Sequence, residues 1–311
     1  MNTARNLADG TVGFVGLGDM GGPLAKNLQA KYGLPIVVFD LKVDLCEQLR
    51  ADGARVASSL ADLADCCTTI GVCVWNESHL TEVIFGEAGL LSGNAVDRTL
   101  VIHSTVTPSA IQRIANGCRA RGWKVLDAPV SGEANSRFDG TMTVMVGGAR
   151  TAFEAHERYF GCIGKRIFHV GEREGAGEAV KLCNGLLYLT AVFCGIEALK
   201  LARAYGIDEQ TVFDVAALGT GNSWYVQNPH FLDNMMLTHP HPEDLAKDVW
   251  EAVKAAKEAD IQLVIGGAVA MISPRLSRER RADLLARLDP SDRSAGPTAE
   301  FHDRKEAHEL T

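Results

Sequence analysis

Between residues 11 and about 170 the chain alternates between short runs that are apolar at nearly every position and stretches where apolar residues recur every three or four. The short runs predict strands at TVGFVG (11–16), PIVVFD (35–40), TTIGVCVW (68–75), TLVIHS (99–104) and KVLDAPV (124–130), then TMTVMVGG (141–148) and RIFHVG (166–171). Strands that are apolar on both faces need cover on both faces, and intervening helices such as Gly21–Tyr32 and Val43–Asp52 can supply it. The pattern therefore predicts an α/β domain, a Rossmann-type doubly wound and mostly parallel sheet. Past Gly175 the β-branched runs become scarce and helical spacing takes over. Residues 179–206 contain no proline and end on Gly206, which predicts one long helix. At the usual rise it spans about 40 Å, enough to leave one domain and form the spine of the next. The expected division is an α/β domain over residues 1–174 and an all-α domain over 175–311, with a frayed polar tail from about Pro290.

Composition narrows the picture. A chain of 311 residues that is 46% hydrophobic can bury real cores in two domains. Its formal charge of −8 and its lack of a basic run argue against a nucleic-acid partner. No eighteen-residue apolar stretch stands out, and MNTARNLADG lacks the apolar centre of a secretory signal, so the expectation is a cytoplasmic protein with no membrane partner. The eight cysteines include no CxxC pair and read as reduced, buried or inert thiols. His239 and His241 in THPHPE find no third ligand in the sequence, so they read as loop residues and no metal is expected.

The stretch TVGFVGLGDMGG raises the first chemical question, because glycine at that density costs chain entropy and each one should answer a steric demand. Gly16-Leu17-Gly18-Asp19-Met20-Gly21 fits GxGxxG between a strand and a helix. In that motif Gly16 makes the tight turn, Gly18 admits a pyrophosphate close to the backbone, and Gly21 lets helix and strand pack. The free N–H groups of the helix start then face the anion. Asp40 closes the second strand nineteen residues past Gly21, where a carboxylate can accept from the adenosine ribose hydroxyls and repel a 2′-phosphate. NAD is thus favoured over NADP, with Lys42 close by as the one opposing charge.

Three further segments, DAPVSGEANSRFDGTMTVMVGG (127–148), GAGEAVKLCNGLL (175–187) and LAKDVWEAVKAA (245–256), join GFVGLGDMG in one order. Together they resemble the β-hydroxyacid dehydrogenase family from about residue 11 to residue 270. The resemblance implies a catalytic lysine at Lys181, acting as acid when a carbonyl is reduced and as base when an alcohol is oxidised. Burial and a nearby nicotinamide cation both disfavour an ammonium, which would let such a lysine trade protons. It further implies cofactor contacts at Val74, Thr105 and Lys247, the last reaching in from the helical domain. Ser131 and Gly132 match the substrate-binding turn, where a hydroxyl and backbone N–H groups can hold a carboxylate. Trp224 resembles a pocket aromatic of the 3-hydroxyisobutyrate branch, although an aromatic in a helical domain can equally be core. The implied assembly is a homodimer or homotetramer built through the helical domain, acting on a small-molecule substrate.

The chain departs from the family pattern in three places. Glu133 replaces the second glycine of an SGG turn, putting a carboxylate beside an anion pocket. Gly185 stands four residues after Lys181, where many members have a substrate-positioning asparagine, and Asn184 sits one place earlier. Asn184 can substitute, although it points about 100° away from the i+4 direction. Trp75 replaces a proline often found near the cofactor. The leading expectation is hydride transfer between NAD and a small 3-hydroxy acid or related alcohol. The alternative is an NAD-binding module whose altered site is inactive. An imine reductase on this scaffold would be expected to have replaced the lysine, and it is present.

Overall fold

A computed structural model describes residues 10–132, 135–238 and 246–287. Glu133, His239, His241 and the tail from Pro290 lie outside the described residues. The N-terminal part contains strands β1 (Val12–Val15), β2 (Val37–Phe39), β3 (Arg55–Val56), β4 (Thr69–Val72), β5 (Thr99–Ile102), β6 (Lys124–Asp127), β7 (Val130–Ser131), β8 (Met142–Gly147) and β9 (Gly164–Gly171). Helices α1 (Gly21–Lys31), α2 (Val43–Ala51), α3 (Leu60–Cys66), α4 (Glu77–Phe85), α5 (Pro108–Cys118), α6 (Ser136–Asp139), α7 (Arg150–Glu154) and α8 (Glu157–Ile163) lie among them. The rest is helical: α9 (Ala176–Ala204), α10 (Glu209–Leu218), α11 (Trp224–Gln227), α12 (Pro229–Thr238), α13 (Lys247–Glu258) and α14 (Val264–Arg287).

Six strands run parallel in the order β3-β2-β1-β4-β5-β6. The chain reverses order at β1, whose neighbours are β2 and β4, and a crevice at the carboxyl ends of such strands is where ligands bind in doubly wound sheets. Two apolar clusters form on the sheet's opposite faces. One gathers Phe14, Leu24, Leu28 and Tyr159, and the other Ile70, Leu80, Ile111 and Trp123. Both are essentially dry, which is why the strand sequences carry no polar alternation. A third cluster, around Phe193, Ile196, Tyr225 and Met236, belongs to the helices after α9.

The structure differs from the sequence reading at the sheet's far edge. The run 124–130 is two strands, because Pro129 has no N–H to continue the ladder beyond β6. β6 and β7 both pair with β8 in the antiparallel sense, and β9 runs parallel to β8. The short β3 escaped detection, two residues being too few to show a period. The long helix begins at Ala176 and ends at Ala204. Against the expectation of no long apolar stretch, an 18-residue window in α9 reaches a mean hydropathy of 1.6, enough by length and composition to cross a membrane. Only 33% of that window is buried, so α9 shows a large apolar face. All eight cysteines are free, and Cys183 and Cys194 on α9 are exposed.

Candidate active site

The three glycines of the first turn each have a different neighbour. Gly16 holds φ +87°, and a Cβ there would stand 2.2 Å from the Cys73 carbonyl oxygen. A Cβ on Gly21 would lie 2.0 Å from the Gly16 carbonyl oxygen, so only glycine lets α1 start this close to β1. Gly18 has nothing within 4 Å of the place its Cβ would occupy. Its missing side chain therefore opens toward free space at the start of α1, the surface a pyrophosphate would need. This turn fits a dinucleotide. Asp19 is exposed and Met20 half-buried, whereas the Leu17 side chain is 3% exposed and belongs to the core, so only backbone can represent Leu17 at the site. Asp40 is anchored at the end of β2: Leu17 N–H donates to its Oδ2 (2.7 Å) and Lys42 N–H to its Oδ1 (2.8 Å). Each oxygen keeps further acceptor capacity.

At the carboxyl ends of β4 and β5, Val74 N–H donates to Ser104 Oγ (2.7 Å), tying the two strand ends together. Lys247, the first residue of α13, reaches this point from the helical part. Its ammonium donates to the carbonyl oxygens of Trp75 and of Thr105 (3.3 Å for the latter) and lies 4.9 Å from the centroid of the Trp75 ring. Three positions singled out in the sequence, Thr105, Lys247 and the divergent Trp75, thus meet. The tryptophan supplies a π face for the cation where a proline would supply none.

Lys181 sits in the second turn of α9, with a side chain 14% exposed, and its Nζ is 3.2 Å from Asp248 Oδ2 on α13. Asn184, one turn further along, donates from Nδ2 to Ser131 Oγ (3.3 Å). The helix that carries the lysine thereby touches the turn that carries Ser131 and the exposed Gly132. Gly185 abuts Asp248: a Cβ there would lie 3.0 Å from the Asp248 Cβ, so a side chain at this position would crowd the lysine's partner. Trp224 meets Tyr188 (5.5 Å) and Phe231 (5.1 Å) edge-on. Tyr188 is two turns, about 10 Å, beyond Lys181 on α9, so Trp224 is fixed by aromatic packing along the lysine's face of the helix.

Three residues here were missed by sequence reasoning. Asp248 lies inside the quoted LAKDVW segment, but a step of one residue turns about 100° round a helix, so Lys247 and its neighbour serve different groups. Asp127 is fully buried and accepts N–H groups from Gly175 (2.7 Å) and Glu178 (2.8 Å), capping the start of α9. Glu178 is also fully buried and accepts from Val106 N–H, at 3.3 Å. Burial pushes Glu178 well above the usual carboxylate range, and the neighbouring Asp127 charge adds to this. Burial raises Asp127 as well, against the backbone N–H groups that hold its charged form. The available signal was spacing, since Glu178 precedes Lys181 by three residues and so shares its helix face.

Comparison with known proteins adds what geometry does not. Residues 11–171 match the profile described as the NAD binding domain of 6-phosphogluconate dehydrogenase. Residues 175–286 match that described as NAD-binding of NADP-dependent 3-hydroxyisobutyrate dehydrogenase. The chain is 30% identical over 279 residues to the mitochondrial 3-hydroxyisobutyrate dehydrogenase of Rattus norvegicus, covering 86% of this chain and 83% of that one. It is 31% identical over 255 residues to an NAD-dependent L-serine dehydrogenase of Pseudomonas aeruginosa, covering 79% and 85%. Among solved structures, a 3-hydroxyisobutyrate dehydrogenase from Salmonella typhimurium superposes with a TM-score of 0.75 at 27% identity, covering 89% and 99%. With both halves matched and these relatives aligned over most of its length, the chain belongs to the β-hydroxyacid dehydrogenase family of nicotinamide-dependent oxidoreductases.

Proposed function

We propose that the chain passes hydride between NAD and a small 3-hydroxy acid, or the matching semialdehyde, with Lys181 as proton carrier. The observation that carries this reading is Lys181 itself, a largely buried amine on the interdomain helix, paired with Asp248 one turn from the Asn184–Ser131 contact. When bound, the nicotinamide supplies the hydride chemistry. In the oxidising direction Lys181 takes the proton leaving the substrate hydroxyl, and in the reducing direction its ammonium gives one to the carbonyl oxygen. Asp248 keeps the Nζ from swinging away and stabilises the ammonium once formed. Ser131 Oγ, the Gly132 N–H and Asn184 hold the substrate carboxylate and orient the hydroxyl toward Lys181.

NAD over NADP is supported by the anchored Asp40 carboxylate, a fixed negative charge where a 2′-phosphate would lie. The substrate class is supported by the relatives named for 3-hydroxyisobutyrate and L-serine, both 3-hydroxy acids. An inactive binding module is opposed by Gly185, whose missing side chain leaves Asp248 room beside the lysine. A dimer or tetramer through the helical part is supported by the exposed Leu187, Leu201, Leu218, Val264 and Met271 on α9, α10 and α14. Light scattering should give a mass of two or four chains, and a monomer at micromolar concentration would overturn the assembly.

The central test is Lys181→Ala, assayed with NAD and a panel of 3-hydroxy acids. Turnover should fall at least about a hundredfold, the usual worth of a positioned acid–base group. Activity within about tenfold of the parent chain removes the role assigned to Lys181.

A further inference from the structure

Trp75 and Thr105 each lie three residues past the end of a strand, β4 and β5, whose last residues Val72 and Ile102 pair in register. Their carbonyl oxygens come to one place, and the Lys247 ammonium donates to both. That place adjoins the nucleotide turn, since a Cβ on Gly16 would lie 3.1 Å from Cγ1 of Val74, the residue before Trp75. The Trp75 side chain stays half exposed there, with its ring centroid 4.9 Å from the Lys247 Nζ. An ammonium has three N–H donors, and the two carbonyls take two of them. The indole face lies against the charge they leave.

Lys247 is the first residue of α13, at the positive end of the helix dipole, where a cation is disfavoured unless other groups compensate it. Ala246 gives that end no side-chain cap. Buried Val249, Ala252 and Ala256 hold the body of α13, whereas its first turn depends on what Lys247 reaches at the strand ends. Asp248 follows in the same turn, points about 100° further round the helix, and meets Lys181 Nζ at 3.2 Å. One backbone step thus joins a contact with the α/β part to the partner of the proton carrier. Lys254 to Glu77 (2.9 Å) and Ser109 to Glu258 (2.6 Å) also tie α13 down, but they lie further along the helix. An exposed ion pair such as the first holds little.

We propose that Trp75 is a positioning residue for the proton carrier: its ring, with the two carbonyl oxygens, holds the Lys247 ammonium, which fixes the first turn of α13 and so sets Asp248 against Lys181. The inference rests on the dehydrogenase reading above. Trp75 acts through Lys247, not on the reacting atoms. A proline at this place has no π face, so the divergence at position 75 changes how the α/β and helical parts are fastened at the cleft and leaves the hydride chemistry as it was.

The experiment is steady-state kinetics with NAD and the best hydroxy acid of the panel. It compares the parent chain with Trp75→Tyr, Trp75→Phe, Trp75→Leu, Lys247→Met, the Trp75→Leu/Lys247→Met double variant and Lys254→Met, each checked for folding by its melting temperature. Trp75→Leu should lower kcat about fivefold, the worth of a partly exposed cation–π contact, with KM for the hydroxy acid within about twofold of the parent. Trp75→Tyr and Trp75→Phe should regain most of the loss, because each keeps a ring face for the cation. With Lys247→Met in place, Trp75→Leu should cost nothing further, and urea unfolding of these chains should show the two losses of stability to be non-additive. Lys254→Met, which breaks an exposed pair in the same interface, should keep kcat within about twofold. An unchanged kcat in Trp75→Leu, an equal loss in Trp75→Phe or Lys254→Met, or additive losses in the double variant each overturn the role of Trp75 and leave the dehydrogenase reading standing. A raised KM for NAD at unchanged kcat makes Trp75 a nucleotide contact and overturns the role as well. A parent chain with no turnover on any hydroxy acid overturns both.

Discussion

Arg280 and Lys181 are both cations held between helices, and they are held in opposite ways. Arg280, 3% exposed on α14, donates to both carboxylate oxygens of Asp233 and to both of Glu209. Glu209 in turn takes Arg203 and Arg287, and Asp283 completes the set from α14. Arg280 and Glu209 each meet more than one oppositely charged partner there, as a low-dielectric setting demands of a load the structure must carry. Lys181 pairs with Asp248, and its neighbour on the same helix face is the buried Glu178, whose Oε1 has no hydrogen-bond partner among the described residues. A charge with all its partners in place fixes helices, and the sparser pairing of Lys181 is what its proposed acid–base role requires. The contrast separates scaffold from chemistry more clearly than burial does, since both lysine and arginine are largely out of water.

The comparison can be broken by exchanging the outcomes. The largest effect belongs to Lys181→Ala, which should remove at least about two orders of magnitude of turnover, while urea unfolding shows stability within about 1 kcal/mol of the parent. A large loss of stability there would mean that the cleft pair is scaffold after all. Arg280→Met should do the reverse, costing about 3 kcal/mol, the low end for breaking a buried ion pair because Glu209 keeps two other arginines. Its kcat, measured on folded protein at low temperature, should stay within about threefold. The smallest effect is in acid. Hydrogen bonds from Arg287, then from Arg280 and Arg203, hold Glu209 at about 2, below the ordinary 4.5. A carboxylate depressed by folding stabilises above its unfolded pKa, and that stabilisation drains away as pH falls from 4.5 toward 2. Glu209→Gln should lower the melting temperature at pH 7 and flatten its decline between pH 5 and pH 3, as differential scanning calorimetry can show.

Much of the first half was legible because its elements are local. GLGDMG announces a strand, a turn and a helix within a few residues, and the steric demands on Gly16, Gly18 and Gly21 match those expected of each. Lys181 and Lys247 were found through segments that keep their order along the chain. What they bind was not legible. Asp127 is 51 residues from Glu178, and Ser131 is 53 from Asn184, separations across which no period or spacing carries information. The edge strands beyond β6 are legible as strands, but their direction is not, because it depends on pairing with distant partners: β8 runs antiparallel to β6 and β9 parallel to β8.

The amino-acid sequence by itself determined the alternation of strands and helices, the nucleotide turn, the long apolar helix and the identity of the amine that α9 carries. Only the tertiary structure decided that Asp248 and not a residue at position 185 lies against that amine, that Trp75 lies over Lys247, and that Glu178 and Asp127 are buried together at the start of α9. The physical reason is range. Backbone propensity and amphipathic periodicity act over a few residues, whereas the state of an ionisable group is set by whatever the fold packs within a few ångströms of it, from any point in the chain.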